Sequence, residues 1–155
     1  MTLLHLLLLQ QNNEKSMDEA MKLLTQAIEK HDGLAQCLAG LNTIDTPEFS
    51  PRFGMHLLMK GAIDGGGGSY YHWHCIATNF AQGKGVAKSA ENAKRIAEIM
   101  LEKGFSYGFY TMGQLYQMGA FGKADTAKAR EYYRQGAKQG CSQCAEELKT
   151  STPSK

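Results

Sequence analysis

Residues 69–140 contain two consecutive copies of a 36-residue unit, SYYHWHCIATNFAQGKGVAKSAENAKRIAEIMLEKG (69–104) and FSYGFYTMGQLYQMGAFGKADTAKAREYYRQGAKQG (105–140). The copies align without a gap, and they share the residues Tyr71/Tyr107, Gly83/Gly119, Ala93/Ala129 and Gly104/Gly140. A fixed period of roughly 20 to 50 residues is typical of solenoid proteins, in which each unit buries its apolar face only against its neighbours. The spacing therefore predicts a repeat architecture, and such chains usually bind other molecules rather than catalyse reactions.

Each copy predicts two helices joined by a short turn. In the second copy the first helix carries side chains three and four positions apart, a spacing that places on one helical face Phe109, Met112, Leu115 and Tyr116. Gly119 then ends this helix, because glycine readily adopts the positive φ of a helix C-terminus. Asp125, and Ser89 in the first copy, stand where the N-cap of the second helix belongs. That helix ends at Gly140 in the second copy.

Small residues recur in register where the two helices of a unit face each other. Ala77 and Gly113 belong to the first helices, and Ala93 and Ala129 occupy the facing positions of the second helices. Little or no side chain at these positions lets the backbones approach closely. We therefore expect Gly113 to pack against Ala129 in the second copy.

Small, apolar, aromatic and glycine residues follow one pattern in both copies. In the first copy they are Ile76, Phe80, Gly83, Gly85, Val86, Ala93 and Gly104, and in the second Gly108, Met112, Gly113, Tyr116, Gly119, Asp125, Ala129, Tyr132, Ala137 and Gly140. This pattern resembles the Sel1-like repeat, a relative of the tetratricopeptide repeat. The departures are His72, Ser89 and Phe121, which replace a small residue, an aspartate and a glycine of the family pattern. The resemblance implies an all-α fold, a right-handed α-solenoid of antiparallel helix pairs with about three to four repeats.

We expect a single α-solenoid domain over residues 1–155. Residues 16–68 are interpreted as degenerate repeats, in which GLAQCLAGL and the stretch 52–65 predict a helix pair. The four glycines 65–68 cannot continue a helix, and they form either a hinge or a rigid kink. The other parts are an N-terminal capping helix (1–15), the two clear repeats (69–104 and 105–140), a C-terminal capping helix (141–150) and a disordered tail (151–155).

The N-terminal segment MTLLHLLLLQQNNEK contains a short apolar run interrupted by His5. It lacks the basic region and the small-x-small cleavage site of an export signal, and it is too short to span a bilayer. We interpret it as the capping helix, with the remnant of an export signal as the alternative, and therefore expect a cytoplasmic protein. The net charge is +2, from 17 basic and 15 acidic residues spread along the chain, so neither nucleic acid nor a membrane is an expected partner.

The four cysteines, Cys37, Cys75, Cys141 and Cys144, are too few for a disulfide scaffold. Cys141 and Cys144 form a C-x-x-C pair, which lacks the second ligand pair of a zinc site and the βαβ context of a thioredoxin-like site. We expect buried thiols that pack between helices, with a Cys141–Cys144 disulfide in an oxidising compartment as the alternative.

The cluster HWHC at residues 72–75 suggests a metal site or a nucleophile, and neither interpretation is favoured. His72 and His74 are two positions apart on a helix, so their side chains point about 200° apart around its axis. Cys75 follows His74 directly, but no third group that would orient this pair can be named. The sequence also lacks the common hydrolase, Walker and zinc-protease motifs. We therefore expect no catalytic residue, no metal and no cofactor.

The first helices of helical-pair solenoids line the concave surface, where partners usually bind. The side chains that project there, away from the core positions, are Tyr71, His74, Thr78, Tyr107, Tyr110 and Gln114. Tyrosine is a frequent interface anchor because it buries a large rigid ring and keeps a polar hydroxyl. The alternative is that some of these tyrosines only pack between repeats.

The resemblance implies a non-enzymatic adaptor or scaffold whose partner is another protein. Short bacterial members of the family resemble immunity proteins, which neutralise a cognate secreted toxin, so a toxin is one expected partner. The alternative is an enzyme, because some cysteine-rich relatives bind or cleave β-lactams. Those relatives place cysteine pairs regularly through their repeats, and this chain does not.

Overall fold

The computed structural model describes residues 33–44, 50–64 and 70–150. Within these ranges the chain forms seven α-helices and no strand. Contacts divide the chain into two compact units, residues 1–68 and 69–155. The predicted N-terminal capping helix, the glycine run 65–68 and the C-terminal tail lie outside the described residues.

In the first unit, helices α1 (Gly33–Ile44) and α2 (Pro51–Asp64) pack with their backbones in contact. A Cβ atom added at Gly40 would lie 2.5 Å from the amide nitrogen of Leu58 and 2.6 Å from the carbonyl oxygen of Gly54. Such distances leave no room for any side chain at Gly40. This helix pair occupies the segments in which the sequence predicts one.

The second unit contains two helix pairs and a final helix: α3 (Tyr70–Gln82), α4 (Ala90–Glu102), α5 (Tyr107–Gln117), α6 (Thr126–Lys138) and α7 (Ser142–Thr150). Helix α3 packs on α4, and α5 packs on α6. Helix α5 also contacts α3 and α4 of the preceding repeat, and α7 contacts α5 and α6. Each repeat thus buries its apolar side against the next, as expected for a solenoid.

The predicted helix ends of both copies are confirmed. The hydroxyl oxygen of Ser89 accepts a hydrogen bond from the amide of Asn92 at 3.1 Å, and the Asp125 carboxylate accepts one from the amide of Lys128 at 2.8 Å. These N-caps satisfy amide groups that have no partner inside the helix. The glycines that end the helices in register, Gly83, Gly119, Gly104 and Gly140, have φ between 73° and 84°, a conformation that favours glycine.

Two apolar clusters form the core of the second unit. The first joins both repeats through Ala81, Ala93, Ala97, Met112 and Leu115, and the second lies under α7 with Ala129, Tyr133, Cys141 and Cys144. Burying one large apolar side chain fully stabilises the fold by roughly 1.5–3 kcal/mol. The first cluster therefore connects the two repeats, and the second connects the second repeat to α7.

The contact at Gly113 differs from the one that the sequence predicts. The atoms nearest to a Cβ added at Gly113 belong to the ring of Tyr133, and Ala129 is not among them. In the first copy the equivalent residues are Ala77 and Ala97, and both are fully buried. The second copy therefore combines a smaller residue in its first helix with a much larger one in its second helix.

Of the two alternatives for Cys141 and Cys144, the structure shows the disulfide, so the favoured expectation of thiols is wrong for this pair. Cys141 immediately precedes α7 and Cys144 lies in its first turn, and their Cα atoms are 5.3 Å apart. This separation suits a disulfide. Cys37 and Cys75 keep reduced thiols, of which Cys37 is buried as expected.

The contact between Gly113 and Tyr133 predicts that Gly113→Ala destabilises the protein, although this substitution usually stabilises a helix. Alanine is about 1 kcal/mol more favourable than glycine inside a helix, so propensity alone would stabilise the variant. Here the added methyl group would overlap the Tyr133 ring, and such overpacking costs roughly 1–3 kcal/mol. We expect a lower free energy of unfolding in urea.

The double variant Gly113→Ala/Tyr133→Ala, which copies the residue pair of the first repeat, is the control for this prediction. It removes the overlap, so the penalty of Gly113→Ala should be smaller in a Tyr133→Ala background than in the natural chain. A Gly113→Ala protein that is more stable than the natural chain would contradict the packing described here.

Candidate protein-binding face

The first helices α3, α5 and α7 lie in sequence along the second unit, and the 36-residue register matches their side chains. Helix α3 contacts α5, and α5 contacts α7. The register aligns Tyr71 with Tyr107 and Gln143, His74 with Tyr110 and Glu146, and Thr78 with Gln114 and Thr150. The candidate site is therefore a series of equivalent positions on neighbouring helices.

Five aromatic side chains of α3 and α5 form a connected layer, which we name the tyrosine face: Tyr70, Tyr71, His74, Tyr107 and Tyr110. The ring centroids of Tyr70 and Tyr107 are 4.8 Å apart, and those of Tyr107 and Tyr110 are 4.9 Å apart. The imidazole of His74 lies between the helices, 5.5 Å from Tyr107 and 5.3 Å from Tyr110. Tyr71 joins the layer through His74 at 6.3 Å.

The rings of the tyrosine face both pack on one another and reach the surface. Tyr70 and Tyr71 remain 45% and 50% exposed, whereas His74, Tyr107 and Tyr110 are partly buried. Ring pairs at these separations stabilise each other by about 0.5–1.5 kcal/mol beyond the area they bury. Packing between repeats and surface exposure are thus combined in the same residues.

His74 is held by a polar contact to the neighbouring helix. Its Nδ1 atom lies 3.1 Å from the hydroxyl of Thr111, and that hydroxyl donates to the carbonyl of Tyr107 at 3.2 Å. A hydroxyl that donates to a carbonyl can accept from an imidazole N–H, so Nδ1 of His74 would be the donor in this contact. Burial lowers the pKa of His74 to about 4, which makes the side chain neutral at physiological pH.

A hydrogen-bond network supports the face from beneath. The Nε2 group of Gln114 donates to the hydroxyl of Tyr133 at 3.2 Å and to the carboxylate of Glu147 at 3.4 Å. The hydroxyl of Tyr133 donates to Oε1 of Gln117 at 2.7 Å, and its ring lies 6.0 Å from that of Tyr110. Tyr133 is 2% exposed, so a residue of the second helix fixes side chains of the first.

The tyrosine hydroxyls of this region stay protonated at physiological pH. Burial raises the pKa of Tyr107 to about 12, with smaller contributions from neighbouring tyrosines. Burial also raises the pKa of Tyr110 and of Tyr133, and the carboxylate of Glu147 raises both further. These residues therefore present hydroxyl groups that can donate and accept hydrogen bonds.

The structure brings together most of the residues that the sequence predicts. Tyr71, His74, Tyr107 and Tyr110 share the aromatic layer, and Gln114 reaches it through Tyr133. Thr78 lies one turn further along α3, where its hydroxyl donates to carbonyls of its own helix.

Sequence reasoning missed Tyr70, Tyr133, Glu146 and Glu147. The 36-residue period could have found Glu146, which is in register with Tyr110. No comparable signal pointed to Tyr133, because it belongs to a second helix.

A cavity of about 270 Å³ opens beside the tyrosine face, at the starts of the first helices. Its lining consists of Tyr70, the segment 104–107 and the segment 140–143. Across the described ranges, no three His, Cys, Asp or Glu side chains are grouped to hold a metal ion. In the same ranges no helix is both long and apolar enough to cross a membrane.

Comparison with protein-family models and with curated proteins gives no match. Among solved structures, the chain is similar to the crystal structure of a Sel1 repeat protein from Oxalobacter formigenes. The two chains are 25% identical, with a TM-score of 0.60, over 77% of this chain and 90% of the other. The resemblance to the Sel1-like repeat proteins and the expected all-α solenoid are confirmed by this similarity.

The lowered pKa of His74 predicts that acid destabilises the second unit. The folded state favours the neutral ring, so this contribution is complete above the unfolded pKa of about 6.5 and is lost as the pH falls toward 4. Burial lowers the pKa of His72 as well, and its effect has the same sign. We expect His74→Asn to reduce the loss of unfolding free energy between these pH values by about 1–3 kcal/mol.

Urea unfolding at a series of pH values measures this effect. The exposed His56 belongs to the first unit, and His56→Asn serves as the matched control for replacing a histidine by asparagine. An identical acid dependence in His74→Asn and in the natural chain would show that His74 is not buried in its neutral form.

Proposed function

We propose that this chain, which has the Sel1-like repeat fold, is a non-catalytic interaction module that binds a partner protein through the tyrosine face. The similarity to a Sel1 repeat protein supports a repeat scaffold for protein interactions. The observation that carries the proposal is the aromatic layer itself, in which Tyr70 and Tyr71 are about half exposed while their neighbours hold them in place.

The energetics of association favour such a layer. Tyrosine offers a large contact area with few rotatable bonds, so ordering it on binding costs little conformational entropy. Here the rings of Tyr70 and Tyr71 already contact Tyr107 and His74, which restricts them before any partner arrives. Preorganised aromatic anchors of this kind are frequent hot spots of protein interfaces.

The partner that we propose is a secreted toxin, which would make the chain an immunity protein. The support is the resemblance to short bacterial Sel1-like proteins together with the position of the face on two neighbouring first helices, α3 and α5. A solenoid surface bound over a toxin's active site would block its substrate without any chemistry of its own. This proposal agrees with the absence of a recognisable catalytic motif in the sequence.

Affinity capture with single-site variants tests the binding role. The full chain is immobilised, proteins from the native lysate are captured, and mass spectrometry identifies those that depend on the tyrosine face. Tyr71→Ala should lower capture of the partner about tenfold or more, as expected when an interface anchor is truncated. Because Tyr71 is half exposed and contacts His74, the melting temperature of the Tyr71→Ala protein should fall by only a few degrees and the chain should stay folded.

Phe121→Ala is the matched control, since Phe121 is an exposed aromatic residue outside the tyrosine face. It should retain the partner. Equal capture by Tyr71→Ala, by Phe121→Ala and by the natural chain would refute the proposed face.

The cellular location of the chain is linked to the Cys141–Cys144 disulfide. Disulfides persist in oxidising compartments and are rare in the cytosol. The cytoplasmic location expected from the sequence stays a prediction, and it conflicts with the disulfide of the structure. We propose an oxidising compartment, which a protein directed against a secreted toxin could share with its target.

Thiol labelling in the source cells measures the state of the pair. Cells are quenched in acid, and the denatured protein is treated with a maleimide before and after reduction. We expect Cys37 and Cys75 to be labelled at once, and Cys141 and Cys144 only after reduction. Immediate labelling of all four residues would show that Cys141 and Cys144 are reduced in the cell, and it would contradict the proposed oxidising compartment.

A further inference from the structure

Two carboxylates continue the tyrosine face on α7. Glu146 is exposed and stands in register with Tyr110, 36 residues earlier in the chain. Glu147 is partly buried, and its Oε1 atom accepts a hydrogen bond from Gln114. The aromatic layer of α3 and α5 therefore ends at negatively charged side chains on the next first helix.

The described first helices carry almost no positive charge. The sequences of α3 and α5, YYHWHCIATNFAQ and YGFYTMGQLYQ, contain no Lys, Arg, Asp or Glu. Lys149 is the basic residue of α7; it is exposed, and against Glu146 and Glu147 it leaves this helix with a net negative charge. His74 adds no charge at physiological pH, because burial lowers its pKa to about 4.

Basic residues are instead concentrated on the second helices of the repeats. On α4, Arg95 pairs with Glu102 at 2.7 Å, and on α6, Lys128 pairs with Glu131 at 2.9 Å. The whole chain carries a net charge of +2, so the negative charge beside the tyrosine face is opposite in sign to the net charge of the protein. Their effect reaches the aromatic layer, because Glu147 and Glu146 both raise the pKa of Tyr110 beyond the effect of burial.

Aromatic rings and carboxylates together recognise cations. A guanidinium or ammonium group is attracted to the face of a tyrosine ring, and the planar guanidinium can also bind a carboxylate through two parallel hydrogen bonds. An acidic segment would instead meet two like charges, and so would a nucleic acid backbone. Charge complementarity therefore favours a basic partner.

We propose that the segment bound by the tyrosine face is a basic stretch of the partner protein, whose arginine or lysine side chains contact the rings of Tyr70 and Tyr71 and pair with Glu146 and Glu147. This inference rests on the proposed binding function of that face. The chemistry of the segment is therefore arginine or lysine side chains in an exposed loop or tail.

Peptide binding to the full chain tests this inference. The probes are fluorescent peptides of equal length in which serine alternates with arginine, lysine, glutamine or glutamate, and binding is measured by fluorescence anisotropy. We expect the arginine peptide to bind at least about tenfold more tightly than the glutamine peptide, and the glutamate peptide to bind most weakly. Affinity for the arginine peptide should fall as salt is added, because part of the attraction is electrostatic.

The double variant Glu146→Gln/Glu147→Gln removes the charges but keeps amide oxygens, so Glu147→Gln can still accept from Gln114. It should lose about tenfold in affinity for the arginine peptide. Glu131→Gln on α6 removes an exposed carboxylate outside the face and is the matched control, which should bind normally. Equal binding of the arginine and glutamine peptides, or full binding by the double variant, would overturn the inference.

The same variants separate this inference from the proposed function. If the partner captured from the lysate depends on Tyr71 but binds Glu146→Gln/Glu147→Gln normally, the face binds a protein and the basic segment is wrong. If capture does not depend on Tyr71, the proposed function itself fails. Thermal unfolding of each variant by circular dichroism confirms that the chain remains folded in these assays.

Discussion

The ring of Tyr133 lies directly over Gly113, and this contact connects the core of the second unit to its surface. A side chain at residue 113 would push the ring away and separate α5 from α6. The same contact determines where the hydroxyl of Tyr133 lies, between the amide groups of Gln114 and Gln117. A glycine in one helix thus allows a buried tyrosine of the next helix to hold the residues beneath the candidate binding face.

Much of the fold could be predicted from the sequence, because the signals involved are local. Helix ends depend on residues such as Asp125 and Gly119, whose capping and backbone preferences act within a few residues. Two copies in register make such signals stronger, since chance would rarely repeat them at one spacing. The N-caps at Ser89 and Asp125 and the glycine helix ends followed from this alone.

The features that could not be predicted depend on pairs of residues from different helices. Both Ala129 and Tyr133 lie on the buried side of α6. The rotation of α6 about its axis determines which of the two packs against Gly113. The Cys141–Cys144 disulfide depends on the start of α7, which places one cysteine before the helix and the other in its first turn. The candidate site residues were predicted by projection along the first helices alone, so the contribution of Tyr133 from the second helix was missed.

The first and second helices of the repeats present different surfaces. The second helices α4 and α6 carry charged residues in exposed ion pairs, which contribute little to stability but keep the outer surface polar. The first helices α3 and α5 carry no charged residue and expose aromatic rings instead. Apolar exposure is tolerable there because the rings cover one another, and only Tyr70 and Tyr71 are left substantially open. The same packing that limits this exposure also orders the rings, and ordered rings would lower the entropic cost of the binding proposed for this face.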